Sequence, residues 1–299
     1  MSPPPDPASS RRRGVLLVLG AAGGFCVAAA FAKALGTAVP VAEVIFFRNL
    51  FAVLALLPLM LATHGTEALR TRHPGQHALR TIFGLMGMVG AFYGYVHLPL
   101  ATVTALGFTM PLFLTVLSYL LLGERVRWRR GLAVLVGFCG VLLMIRPGAE
   151  AMRADGLAIA LVLMGALGWA LAMITIRRMG DAGESGPTIV LWFAIASTLV
   201  SGVAAIPGWV WPASAWHWVL LAGIGLVSAG AQIAMTEAYR RGETTLLAPF
   251  EYSAIVWTTA LGMLVWSEYP DAFDIADILV LVGAGLYIWH REVQLGIRR

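Results

Sequence analysis

Charge is scarce in this chain: Asp, Glu, Lys and Arg make up 12% of its 299 residues, where a soluble domain carries roughly 25%. With 59% hydrophobic residues and a mean hydropathy of +0.80, too little polar surface exists to clothe a soluble globule. Cysteine is nearly absent as well. Cys26 and Cys139 each sit inside a long apolar run, which excludes a disulfide framework and a thiolate metal site; no metal and no cofactor is expected. The chain contains no G-x-x-x-x-G-K-[ST] motif, so ATP-driven pumping by this chain alone is excluded. Nor does any nucleophile lie beside a base at membrane depth, which leaves the readings from another class, an intramembrane enzyme or a lipid scramblase, without a supporting constellation. Three histidines, His64, His73 and His77, share one loop, but their spacing fits no metal site.

What the chain does have is long apolar runs. A run of about 20 apolar residues crosses a hydrocarbon core of roughly 30 Å. Ten runs are found, at about 14–35, 41–62, 79–97, 99–122, 131–146, 156–177, 187–206, 216–238, 246–266 and 274–291. The first resembles a signal peptide after Arg11, Arg12 and Arg13, but it is long enough to span and lacks a cleavage site. The net charge of +5 does not indicate a nucleic-acid partner, because the basic residues lie in short clusters between apolar runs. Arg11 to Arg13, Arg70, Arg72, Arg80, Arg125, Arg127, Arg129, Arg130, Arg177, Arg178, Arg240, Arg241, Arg291, Arg298 and Arg299 all fall on one side of a ten-span topology. The positive-inside rule makes that side cytoplasmic and places both termini there. Residues 1–13 are expected to form a disordered basic N-terminus and 292–299 a cytoplasmic tail. The loop from Pro207 to Trp218, with Trp209, Trp211 and Trp216, reads as an interfacial aromatic belt at the outer surface.

Shifting the sequence by 144 residues aligns Lys33 with Arg177, Gly36 with Gly180, Tyr95 with Tyr239, Thr115 with Thr259 and Glu124 with Glu268. The chain therefore holds two repeats, 14–147 and 156–291, of five spans each. Because five is odd, the second copy enters the membrane upside down. The expected fold is an all-α integral membrane protein, ten transmembrane helices as two inverted five-helix repeats around a central cavity, the architecture used for alternating access.

Several stretches resemble the drug/metabolite transporter superfamily, and within it the EamA family. They are Glu43-Val-Ile-Phe-Phe-Arg48, the run from Leu98 to Pro111, Gly123-Glu124-Arg125, Val136-Gly-Phe-Cys-Gly-Val141 and Ala248-Pro-Phe-Glu-Tyr252. The resemblance covers about 14–291 and implies a basket of ten helices in which the first, third, fourth, sixth, eighth and ninth line the cavity. It also implies a carrier of small organic metabolites in a bacterial-type inner membrane. Export of amino acids is the leading expectation, and uptake of S-adenosylmethionine or riboflavin is the alternative. The expected partners are this small-molecule substrate and the lipid bilayer, with protons as candidate coupling ions.

Within the spans, Glu251 is an isolated carboxylate on span nine, suited to holding a proton or an amine. Phe250 and Tyr252 flank it. Tyr95 and Tyr239 share a repeat position, and with Phe83, Phe108 and Trp169 they are candidate walls of the cavity. Pro111 and Pro249 each remove a backbone hydrogen bond and are expected to kink a lining helix. Arg48 lies within span two, where a guanidinium could clamp a substrate carboxylate or phosphate; the resemblance places that span outside the cavity wall, so the structural role is preferred, either paired with Glu43 or capping backbone carbonyls. Gly84, Gly87, Gly90 and Gly94 recur along span three, where Gly90 and Gly94 allow close helix contact.

Overall fold

The computed structural model describes residues 7–122 and 150–241, most of 250–290, and the pair Leu135 and Val136. Nine helices stand out among the described residues: α1 (Pro7–Leu35), α2 (Val41–His64), α3 (Pro74–His97), α4 (Leu100–Gly107), α5 (Met110–Leu122), α6 (Glu150–Asp181), α7 (Gly186–Ala205), α8 (Ala215–Arg241) and α9 (Ser253–Trp266). Six of them, α1, α2, α3, α6, α7 and α8, are long and apolar enough to cross a membrane. Expected span five lies outside the described residues except for Leu135 and Val136, and expected span ten is described only in part. Glycine in the left-handed region ends α1 at Gly36, α2 at Gly65 and α6 at Gly183, where a side chain would be strained.

Four boundaries differ from the sequence expectation. Residues 7–13, expected to be disordered, continue α1; Pro7 is tolerated in a first turn and Ser9 to Arg13 include no helix breaker. The third helix begins at Pro74 rather than at residue 79, with Pro in its first turn. That shift brings His77 from the expected loop into the helix and sets Arg80 well inside it rather than at its first turn. The sixth helix reaches from Glu150 to Asp181, beyond the expected 156–177. The expected continuous fourth span is broken into α4 and α5 at Phe108 and Thr109. Pro111 follows that break, has no N–H to give and crowds the preceding turn. The Thr109 hydroxyl donates to the Leu106 carbonyl at 2.6 Å.

Helices α3 and α6 form one extensive seam and α1 and α8 form the other, while α2 lies against α7 and α8. Glycine allows the first seam. A Cβ at Gly90 would overlap the Leu161 carbonyl oxygen and come within 2.9 Å of Gly165 Cα, and one at Gly168 would lie 2.8 Å from the Phe83 carbonyl oxygen. Backbone meets backbone there, as in close-packed membrane helices. The main apolar core joins Ile45 and Phe47 of α2, Met88 and Phe92 of α3, Phe193 of α7, and Leu220, Leu221 and Ile224 of α8.

Candidate functional site

Two polar constellations occupy this apolar framework, one at the end where α1 finishes and one near the middle of α3. The first is built on Lys33, the chain's single lysine. Its Nζ lies 2.6 Å from Glu268 Oε1, donates to the Leu98 carbonyl at 2.8 Å, and stands 5.7 Å from the centre of the Trp266 ring. The other carboxylate oxygen, Glu268 Oε2, accepts from the Leu100 backbone N–H at 3.2 Å. Local backbone aims the carboxylate. Ser267 caps α9 in the left-handed conformation, and the Glu268 N–H returns to the Gly262 carbonyl at 3.0 Å. A Cβ at Gly262 would lie only 3.1 Å from Glu268 Oε2, so glycine there leaves room for the carboxylate. One ion pair thereby ties together α1, the α3–α4 connection and α9. A cleft of about 130 Å³ beside it is lined by Pro99, Thr102, Thr259, Gly262, Glu268 and Asp274. Ligand pockets run to roughly 300–1,000 Å³, so this cleft is too small to hold a metabolite.

The second constellation contains two arginines. Arg48 on α2 donates from Nη1 to Asn49 Oδ1 at 2.8 Å and lies 3.9 Å from Met88 Sδ. Asn49, fully buried, is held by its own bond to the Ile45 carbonyl at 2.8 Å. Arg80 on α3 is 7% exposed, and its Nε and Nη1 have no hydrogen-bond partner among the described residues. Its guanidinium carbon sits 3.8 Å from the Phe193 ring centre and 5.9 Å from that of Trp169. Gly84 makes this possible, because a Cβ there would overlap both Arg80 Nη1 and the Phe193 ring. Arg80 and Arg48 are close enough to repel each other, and Tyr95 is in electrostatic contact with Arg48. Among the described residues neither arginine has a carboxylate within 4 Å.

The Glu43 pairing considered for Arg48 is not what the structure contains. Glu43 Oε1 accepts from the Val210 backbone N–H at 2.6 Å, its Oε2 is buried without a partner among the described residues, and Arg48 turns instead toward α3. Of the other candidates, Tyr95 and Trp169 fall beside the arginines. Phe83 is half-buried, and its carbonyl abuts Gly168. Phe108 packs against Tyr252 with the rings tilted by 58° and their centres 4.7 Å apart, and Phe250 is 37% exposed. Tyr239 and Pro111 lie on α8 and α5. Glu251 and Pro249 lie outside the described residues. Sequence reading missed Arg80, Phe193 and the Lys33–Glu268 pair. Pro74 was the overlooked signal for Arg80, since proline favours the first helical position and would have moved the helix start back from residue 79, setting Arg80 inside the helix rather than at its margin. At the opposite end from Lys33, His77 Nε2 approaches Glu184 Oε1 at 3.8 Å, and the Thr71 hydroxyl donates to Glu184 Oε2 at 3.2 Å.

Residues 12–146 and 156–289 each match the EamA-like transporter family. The chain is 28% identical to an S-adenosylmethionine uptake transporter of Rickettsia prowazekii, covering 87% of this chain and 86% of that one. It is 32% identical to a pseudopaline exporter of Pseudomonas aeruginosa, over 91% and 94%, and 28% identical to a riboflavin transporter of Vibrio cholerae, over 85% of each. A solved crystal structure shares the fold with a TM-score of 0.63 at 21% identity, covering 93% of this chain and 96% of that one. With both halves of its length matched and its curated relatives transporters rather than enzymes, the chain belongs to the EamA-like transporter family and is a multi-pass membrane carrier of small metabolites.

Proposed function

We propose that the chain carries S-adenosylmethionine, or an amino-acid derivative of similar size, across the inner membrane by alternating access between two inverted five-span halves. The expectation of amino-acid export is thereby widened, because the relatives are named for S-adenosylmethionine, pseudopaline and riboflavin and act in both directions. The observation that carries the reading is an asymmetry between the halves. Under the 144-residue shift α1 corresponds to α6, α2 to α7, α3 to α8, and the α4–α5 pair to α9. The seam of α3 with α6 and that of α8 with α1 are then equivalent contacts, as an inverted repeat requires. Yet α1 also packs on α3, whereas the corresponding helices α6 and α8 make no comparable contact among the described residues. The α1–α3 side is the one fastened by Lys33 and Glu268, at the end that the charge distribution makes outer. This supports a carrier held closed on its outer side, with the exchange of the two halves' arrangements giving the opposite state.

Proteoliposomes containing the purified full chain are expected to take up labelled S-adenosylmethionine saturably, with acceleration by unlabelled substrate on the far side. Amino acids and riboflavin are tested in parallel. Uptake of riboflavin alone would reassign the substrate, and flat traces for every compound would remove the reading.

A further inference from the structure

Arg48 and Arg80 enter the protein from opposite ends and converge on the same stretch of α3. Arg48 starts about 10 Å inside α2 at a rise of 1.5 Å per residue and reaches Met88. Arg80 starts about 9 Å inside α3 and folds over Gly84. Gly84 and Met88 are one turn apart and bracket the midpoint of the helix Pro74–His97. Two cations thus lie within electrostatic reach of each other near the middle of a membrane-spanning helix.

Among the described residues nothing neutralises them. Arg48 has a neutral amide oxygen and a thioether; Arg80 has two aromatic faces and two buried nitrogens without a partner. Like charges in an apolar medium repel, and a buried charge without a counter-ion costs several kcal/mol. A fold built only for stability would replace one of them with an apolar residue or supply a carboxylate. Cation–π contacts with Phe193 and Trp169 hold the Arg80 guanidinium in place without using its in-plane hydrogen-bond donors. Those donors, arranged as a planar fork, match a carboxylate.

We propose that Arg48 and Arg80 together form an anion subsite that takes the carboxylate of the transported metabolite, with Phe193, Trp169 and Gly84 positioning Arg80. This rests on the reading of the chain as a metabolite carrier. It goes further by naming the chemical feature the carrier selects, so neutral metabolites and substrates lacking a carboxylate are discriminated against. It also gives Arg48 a binding role in place of the scaffold role expected from its sequence position. Loading the anion cancels the repulsion between the arginines, so substrate binding stabilises the closely packed arrangement around α3.

The test compares S-adenosylmethionine with its decarboxylated analogue, which keeps the adenosine and the sulfonium and lacks only the carboxylate. Both are presented to purified full-length protein, with uptake measured in proteoliposomes and binding measured as a shift in melting temperature. The wild-type protein is expected to prefer the carboxylate-bearing compound by at least about tenfold, the size of one lost charge-assisted contact. Arg80→Gln and Arg48→Gln are expected to raise KM for S-adenosylmethionine by a similar factor and to erase the preference, while Arg48→Lys retains part of it. A merely structural role would lower both compounds equally and leave their ratio unchanged. Equal handling of the two compounds by wild type would overturn the subsite even if neither variant folds. If neither compound is transported, a wild-type melting shift with L-phenylalanine that is absent with phenethylamine keeps the anion subsite and removes the S-adenosylmethionine reading. Absence of any carboxylate-dependent shift in that case removes the subsite.

Discussion

Replacing Lys33 with methionine is expected to cut the transport rate by roughly tenfold to a hundredfold while leaving the amount of folded protein in the membrane near the wild-type level. The Lys33 ammonium makes a charge-assisted contact to Glu268, a hydrogen bond to the Leu98 carbonyl and a contact with the Trp266 ring. Charge-assisted hydrogen bonds contribute about 1.5–3 kcal/mol, and each 1.4 kcal/mol moves a conformational equilibrium about tenfold. The bridge is only partly shielded, with side-chain exposures of 11% for Lys33 and 23% for Glu268, so the lower end of that range is expected in water. An arginine at position 33 keeps the charge and should retain most of the rate. The exchange Lys33→Glu with Glu268→Lys should recover little, because it turns a carboxylate toward the Leu98 carbonyl and an ammonium toward the Leu100 N–H. Full recovery by the exchange would mean that charge alone, and not this directional network, closes the outer end. An unchanged rate in Lys33→Met would remove the closure role from the pair.

Gly90→Leu is expected to lower the melting temperature by about 10 °C or more, or to abolish accumulation of folded protein. Overpacking a core commonly costs about 1–3 kcal/mol, and for chains of this size each kcal/mol moves the melting point by roughly 2–4 °C. Here the obstacle is backbone: the added carbon meets the Leu161 carbonyl and Gly165 Cα, neither of which can move aside as a side chain does. The helices would have to separate along the whole α3–α6 seam. Gly20→Leu is the control, because an added Cβ there has nothing within 4 Å, and it should shift the melting temperature by no more than about 2 °C, the size of an ordinary surface change. Equal losses from both substitutions would show that the seam is not held by close backbone approach.

Much of the framework was legible in the residues because a bilayer imposes a simple rule: every spanning segment must be long, apolar and internally hydrogen-bonded. Runs of that kind located α1, α2, α3, α6, α7 and α8, and the shift that pairs Lys33 with Arg177 and Gly36 with Gly180 made α6 the repeat counterpart of α1. Helix ends were less legible, since hydropathy falls gradually while caps act at single residues. Arg80 shows the cost. Its charge and its place at the edge of the expected span grouped it with the inner basic residues, yet Pro74 starts the helix early and Gly84 and Phe193 make a place for the guanidinium. Lys33 and Glu268 were both noticed as repeat positions, but their meeting depends on the left-handed Ser267 and on Gly262, a local backbone feature with no periodic signature. For Arg48, sequence adjacency suggested Glu43, whereas helix geometry directs Glu43 to Val210 and Arg48 to Met88. Spacing on a helix says which residues share a face and leaves open what that face meets.

The inverted relation of the two halves is tested most directly by asking on which side of the membrane equivalent loop positions lie. Thr37 follows α1 and Asp181 ends α6, both are exposed, and the 144-residue shift carries one onto the other. With Cys26 and Cys139 replaced by serine, Thr37→Cys should react with a membrane-impermeant maleimide on intact cells, and Asp181→Cys only after the membrane is opened. Reaction of both from the same side would make the halves parallel copies, and the alternating-access account would fail.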